Sequence, residues 1–126
     1  MNKTIIDTEK APAPIGPYSQ AILSGNTLYA SGQIAINAES GEMVNADITA
    51  ETHQVMKNMG YILEAAGMNF SNVVKCGIFV KDMNDFAAIN AAYGEYFKEN
   101  PPARETVEVS RLPKDVNVEI SCIAVK

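Results

Sequence analysis

Arg104 and Glu119 are the residues of this chain best suited to chemistry. Only two arginines stand against eight lysines. One of them, Arg104, heads an alternating run after a double proline, Pro102-Ala103-Arg104-Glu105-Thr106-Val107-Glu108-Val109. A period of two sends Arg104, Thr106, Glu108 and Ser110 to one side and Val107 and Val109 to the other. Leu112-Pro113-Lys114-Asp115 reads as a turn. In the run that follows, Val118, Ile120, Cys122 and Ala124 share one face, and Asn117, Glu119 and Ser121 the opposite one. Pairing the two runs antiparallel with apolar faces matched places Arg104 and Glu119 on the same polar face. A guanidinium binds a carboxylate in a planar fork, and a neighbouring glutamate positions a water or a basic nitrogen. The bland alternative is a cross-strand ion pair of Arg104 with Glu108 or Glu119, worth ~0.2–1 kcal/mol. Spacing does not choose between them.

Tyr18 follows a Gly16-Pro17 turn at a strand entrance, suited either to a core aromatic or to a cleft wall. Ser31-Gly32 ends a strand with small residues; glycine there permits close approach of a ligand, or marks a bulge. Asn90 lies between Phe86 and Tyr93 on a helix, where it can hold a loop or reach a ligand; the structural role is favoured. The single histidine, His53, sits in the polar stretch Glu51-Thr52-His53-Gln54 and is expected on a solvated face. No glycine-rich phosphate loop, nucleophile elbow or metal-ligand spacing is present. Cys76 and Cys122 fall inside strand-like runs and read as buried free thiols of a reducing compartment.

The elements that must position these groups follow from periodicity. Thr4-Ile5-Ile6 suits a short edge strand. Residues 18–23 and 27–31 read as two strands around Ser24-Gly25-Asn26. Residues 37–41 form a polar turn. Thr49 is placed to cap a helix running to about Ala66, with Gly67 as its stop. Val55, Met59, Ile62, Leu63 and Ala66 make its apolar stripe. A β-branched strand covers 73–80. A second helix starts at Asp82 or Asn84, carries Phe86, Ile89, Tyr93 and Phe97, and ends at Asn100-Pro101-Pro102. The order β-β-β-α-β-α-β-β predicts one α+β domain over residues 1–126, a mixed sheet with two helices on one face. The other face, expected to carry Arg104, Thr106, Glu108, Glu119 and Ser121 beside Ile123 and Val125, calls for cover by another subunit.

With 126 residues, 47% of them apolar, the chain can build a real core. A net charge of −5 argues against a nucleic-acid backbone binder. No apolar stretch reaches the ~18 residues of a membrane span. The N-terminus lacks a signal-peptide hydrophobic region, so a cytoplasmic protein is expected.

Over nearly its whole length the sequence resembles the reactive intermediate deaminase (RidA/YjgF) family. The resemblance rests on Ala13-Pro14-Ile15-Gly16-Pro17-Tyr18-Ser19-Gln20-Ala21, Ser31-Gly32-Gln33-Ile34, Glu64-Ala65-Ala66-Gly67, Phe79-Val80-Lys81-Asp82-Met83-Asn84-Asp85-Phe86, Asn90-Ala91-Ala92-Tyr93, Pro102-Ala103-Arg104, and the run from Arg111 to Ile120. It implies a chorismate-mutase-like fold, a homotrimer with clefts between subunits, and hydrolysis of 2-imino and 2-enamino acids (2-iminopropanoate, 2-iminobutanoate) to 2-oxo acids and ammonia without a cofactor. The family's carboxylate-binding arginine falls on Arg104 and its water-positioning glutamate on Glu119. Its cleft tyrosine falls on Tyr18, its backbone contributors near the imine on Ser31 and Gly32, and a further backbone donor on Thr106.

Three departures stand out. Thr106 replaces a common cysteine, keeping the amide but not the thiol. Glu105 follows the arginine where a small or apolar residue is usual; by alternation it faces away from Arg104. The connection Lys98-Glu99-Asn100-Pro101-Pro102 is short and lacks the aromatic before Pro-Ala-Arg, which bears on cleft shape and on the preferred substrate side chain. The alternative reading is a non-catalytic module that binds 2-oxo acids or other small carboxylates in the same clefts. A nuclease is disfavoured by the acidic charge and lone histidine. A mutase would need a second cation, and Arg111 falls on the face opposite Arg104.

Overall fold

A computed structural model describes residues 2–126. Six strands, β1 (Lys3–Ile6), β2 (Ala21–Ser24), β3 (Thr27–Gln33), β4 (Val73–Val80), β5 (Ala103–Glu108) and β6 (Val118–Val125), form one sheet in the order β1-β2-β3-β6-β4-β5. All neighbours are antiparallel except β4 and β5. Helix α1 (Ile48–Ala65) links β3 to β4, and α2 (Phe86–Gly94) links β4 to β5. The element order and the mixed sheet agree with the α+β expectation and with the chorismate-mutase-like fold.

Alternation makes the sheet two-sided. Val118, Ile120, Cys122 and Ala124 of β6 are buried while the residues between them are not. They pack with Leu28, Ile78 and the α1 stripe, in which Val55, Met59, Ile62 and Leu63 are almost fully buried. Burying such side chains contributes about 1.5–3 kcal/mol each. Cys76 and Cys122 lie opposite each other in this layer as free, buried thiols. Burial raises both, Cys122 to about 12, which leaves them protonated and unreactive.

Several boundaries differ from those read in the sequence. The cap of α1 is Asp47, whose carboxylate accepts from the Ala50 amide at 2.7 Å, and Thr49 already lies inside the helix. Gly67 closes it in the left-handed region (φ 73°) as expected. Strand β2 begins at Ala21, not at residue 18, because the Gln20 side chain takes up the preceding loop. Its amide donates to the carbonyls of Thr8, Ala11 and Pro12 and accepts from the Thr8 amide. A short 3-10 turn, Met83–Asp85, precedes α2, with Asp82 capping it. Helix α2 stops at Gly94, a poor helix former. Tyr96 and Phe97 therefore leave the helix and pack against Phe70.

The largest correction concerns β5. It does not pair with β6; β4 lies between them, parallel to β5 and antiparallel to β6. Chain neighbours commonly pair, but the α2 crossover carries the chain past β4 to the sheet edge.

Candidate active site

Register decides where the chemical groups point, because residues opposite one another share a face. Arg104 lies opposite Cys76, and Cys76 opposite Cys122, so Arg104 points to the helix side. Glu119 lies opposite Phe79, and Phe79 opposite Val107, so Glu119 points to the open side. The expected shared face for Arg104 and Glu119 is therefore wrong for a single chain. Thr106 and Glu108 go with Arg104; Ser121 goes with Glu119. The open face holds Tyr29, Gly77, Phe79, Glu105 and Ile123 instead, and Glu105 pairs there with Lys75 at 3.3 Å. Glu105 thus faces away from Arg104, as alternation implied.

On the helix side, Arg104 rests on α2. Its Nη1 donates to Asn90 Oδ1 at 2.6 Å, and its guanidinium stands 5.5 Å from the Phe86 ring centre and 5.1 Å from that of Tyr93. Phe86, Asn90 and Tyr93 share a helix face at i, i+4 and i+7. Each cation–π contact at an exposed site contributes about 0.5–1 kcal/mol. Asn90 is thus bonded to the arginine, and not to a loop as the favoured structural reading had it. The Phe86–Tyr93 platform escaped the sequence reading, which saw only an apolar stripe; the polar Asn90 inside that stripe was its signal. Tyr93 is 5% exposed, and its hydroxyl lies beside the Cys76 thiol without a partner in hydrogen-bonding geometry. Thr106 Oγ1 is likewise buried and unpartnered. The Val109 amide donates to Val80 O across the β4 pairing. By strand alternation the Thr106 amide is turned to the free edge of the sheet.

On the open side a second group gathers. Strand β3 shifts register against β6 between Ala30 and Gln33, so Ser31 and Gly32 form a bulge. A Cβ at Gly32 would stand 2.7 Å from Glu119 Oε2, so only glycine lets the carboxylate approach this backbone. Burial pushes the Glu119 carboxyl above its ordinary value. Ser31 Oγ donates to Ser19 O at 2.6 Å, tying the bulge to the Tyr18 loop. Tyr18 is 49% exposed and, with Gly32 and Ile15, lines a small recess. The loop before β6 is held from α1: the Glu51 carboxylate, 1% exposed, accepts from the Asn117 amide and Nδ2, both at 2.8 Å.

His53 is not simply solvated. Its Nδ1 lies 2.9 Å from the Tyr96 hydroxyl and its Nε2 3.4 Å from a Glu95 carboxylate oxygen, which orders the segment after α2. Arg111 is paired with Asp115 at 2.7 Å, away from Arg104. Among the described residues no three His, Cys, Asp or Glu side chains gather into a metal-binding group, and no helix is long and apolar enough to cross a membrane.

A family model described as Endoribonuclease L-PSP matches residues 8–126. A RutC family protein of Pyrococcus horikoshii is 56% identical over 124 residues, 98% of each chain. A human protein named 2-iminobutanoate/2-iminopropanoate deaminase is 47% identical, covering 98% of this chain and 90% of its own. Among solved structures, that of E. coli TdcF with bound serine superposes with a TM-score of 0.94 at 40% identity, covering 98% of each chain. The chain belongs to this Endoribonuclease L-PSP family, which is the RidA/YjgF family of the sequence resemblance.

Proposed function

We propose that this family member hydrolyses 2-imino and 2-enamino acids such as 2-iminopropanoate and 2-iminobutanoate to 2-oxo acids and ammonia. The clefts lie between subunits of a homotrimer. The observation that carries the reading is the division of the chemistry into two half-sites. Arg104, Asn90 and Thr106 face the helix side, and Glu119 the open side against Gly32, with Ser31 and Tyr18 beside that glycine. One chain cannot bring them together; the edge of one chain against the open face of the next can. The deaminase name of the human relative and the bound serine of TdcF support an amino-acid-like ligand.

In such a cleft Arg104, held flat by Asn90 and the two rings, takes the substrate carboxylate bidentately, helped by the Thr106 amide. The neighbour's Gly32 carbonyl accepts from the protonated imine nitrogen. An enamine first tautomerises to the imine. Glu119 accepts a proton from water as the water oxygen bonds to the imine carbon, whose C=N π electrons pass to nitrogen. The carbinolamine then collapses: Glu119 passes the proton it took from water to the amine nitrogen, the C–N bond breaks to release ammonia as the C=O bond forms, and the hydroxyl proton goes back to the Glu119 carboxylate and on to solvent. An iminium is already electrophilic, so the protein's part is orientation and proton handling. These steps require no metal or organic cofactor.

The test generates imino acids from alanine and 2-aminobutyrate with an amino-acid oxidase and catalase, trapping unhydrolysed imine with semicarbazide. Wild type should suppress the semicarbazone, and Arg104→Ala should lose about 2–5 kcal/mol of transition-state binding. Binding of 2-oxo acids without suppression would transfer the reading to the non-catalytic carboxylate module. The nuclease implied by the family description would need a basic surface, whereas the chain carries −5 and its one histidine is engaged by Tyr96 and Glu95.

A further inference from the structure

The open-side half-site is gripped from α1 by two buried polar residues. Glu51 is 1% exposed and lies in the first turn of the helix, where the N-terminal amides favour a negative charge. Among the described residues no lysine, arginine or histidine pairs with it. Both its oxygens accept from Asn117, Oε2 from the amide and Oε1 from Nδ2. Two donors side by side need two acceptors, which a carboxylate supplies and a side-chain amide does not. The Asn117 carbonyl in turn accepts from the Lys81 amide at 3.0 Å, just past the end of β4. Two turns along α1, the buried Asn58 donates to the carbonyls of Ile34 and Ile36 at 3.0 and 2.9 Å, directly after the strand that carries Gly32.

We propose that Glu51 is a positioning residue for the hydrolysis: through Asn117 it sets where the Glu119 carboxylate stands against Gly32. The inference rests on the deaminase reading and deepens it. Only Val118 separates Asn117 from Glu119, and it is fully buried and paired with Val80, so a shift at 117 passes along the strand. The turn before it is strained. Lys114 and Asp115 both stand in the left-handed region at φ 55°, which such residues hold only where their surroundings fix them. Released from Glu51, that turn relaxes and carries the start of β6 with it. A buried carboxylate without a cation is a weak device for stability. Here, with Asn58, it holds the two chain segments whose contact, Gly32 with Glu119, the chemistry uses.

The test exchanges donor for acceptor and reads the alanine-derived imine in the semicarbazide assay. In Glu51→Gln the new NH2 group faces an Asn117 donor. Its kcat should fall by about tenfold or more with KM little changed, because a catalytic group is misplaced while Arg104 is untouched. In Asn117→Asp two carboxylates face each other, and kcat should fall as well. The double variant restores both bonds: the glutamine oxygen accepts from the amide of residue 117, and its NH2 donates to the new carboxylate. Its kcat should return close to wild type, a coupling that independent sites do not show. Val55→Ala, one turn along α1 in the apolar stripe, should lower Tm and leave kcat unchanged. If Glu51→Gln fails to fold by near-UV circular dichroism, Asn117→Ala, which keeps the amide bond to Glu51, should still lower kcat. A folded Glu51→Gln or Asn117→Ala with wild-type kcat overturns the role of Glu51. So does a double variant no better than the single ones, or a kcat that merely follows Tm in every variant, Val55→Ala included. In each of these cases wild-type hydrolysis leaves the deaminase reading intact. A wild type that hydrolyses no imine removes both.

Discussion

At the scale of single residues, Gly32 has less room for a side chain than any other glycine, because the Glu119 carboxylate lies against it. The side chain that blocks a Cβ at residue 32 is flexible, so Gly32→Ala should fold and push the Glu119 carboxylate aside. Misplacing a catalytic group by about 1 Å costs on the order of 100-fold. We expect a fall of that size in kcat with little change in KM, measured with the alanine-derived imine; unchanged kcat would show that Glu119 need not sit against this backbone. The raised Glu119 pKa makes a second prediction. As a base it must be ionised, so activity should fall with decreasing pH through a value above its ordinary 4.5. The sign for stability is opposite. A carboxyl raised by burial holds its proton more tightly folded than unfolded, so its favourable contribution is present below 4.5 and lost as pH rises through the folded value. Glu119→Gln should therefore match or exceed wild-type Tm at pH 7 while losing hydrolysis. A lower Tm would mean the ionised group is itself stabilising.

Among the elements, α1 shows what a sequence displays and what it conceals. Its stripe of Val55, Met59, Ile62 and Leu63 and its Gly67 stop were legible because a 3.6-residue period and a left-handed C-terminus leave few alternatives. Its cap was not, since Asp47 and Thr49 are both good cap residues and only geometry separates them. Asp47→Ala should cost about 1 kcal/mol in urea unfolding, and Thr49→Ala should cost little; the reverse would move the helix start. The two C-terminal strands were legible as strands for the same kind of reason, a clean period of two. Their partners were not, because pairing is set by the α2 crossover and not by either strand. That single error moved Arg104 to the wrong face. Tyr93 was visible only as part of a helix stripe, and Asn90 only as a residue able to hold a loop or reach a ligand, until β5 was placed beside them.

For the whole molecule, the two half-sites dictate an unusual form of genetics in the tube. Arg104→Ala and Glu119→Gln should each be inactive alone. Mixed by co-expression or by unfolding and refolding together, they should regain activity, with roughly one cleft in four receiving both intact groups from random assembly of a ring. Light scattering should give three times the mass of the chain. No recovery in mixed trimers would place both groups in one chain's cleft and contradict the register of β4 with β5 and β6.

The same back-to-back placement should leave a trace far from any test tube. On the proposed reading, positions 104 and 119 of related chains answer to one substrate while pointing away from each other across a single sheet. Where one of them drifts, the other is pressed to follow. A map of correlated change drawn from many such sequences would link the two, and a reader holding only one chain would discard that link as noise. On the proposed reading it would instead be the record of a neighbour, written into a chain that holds one half of each cleft.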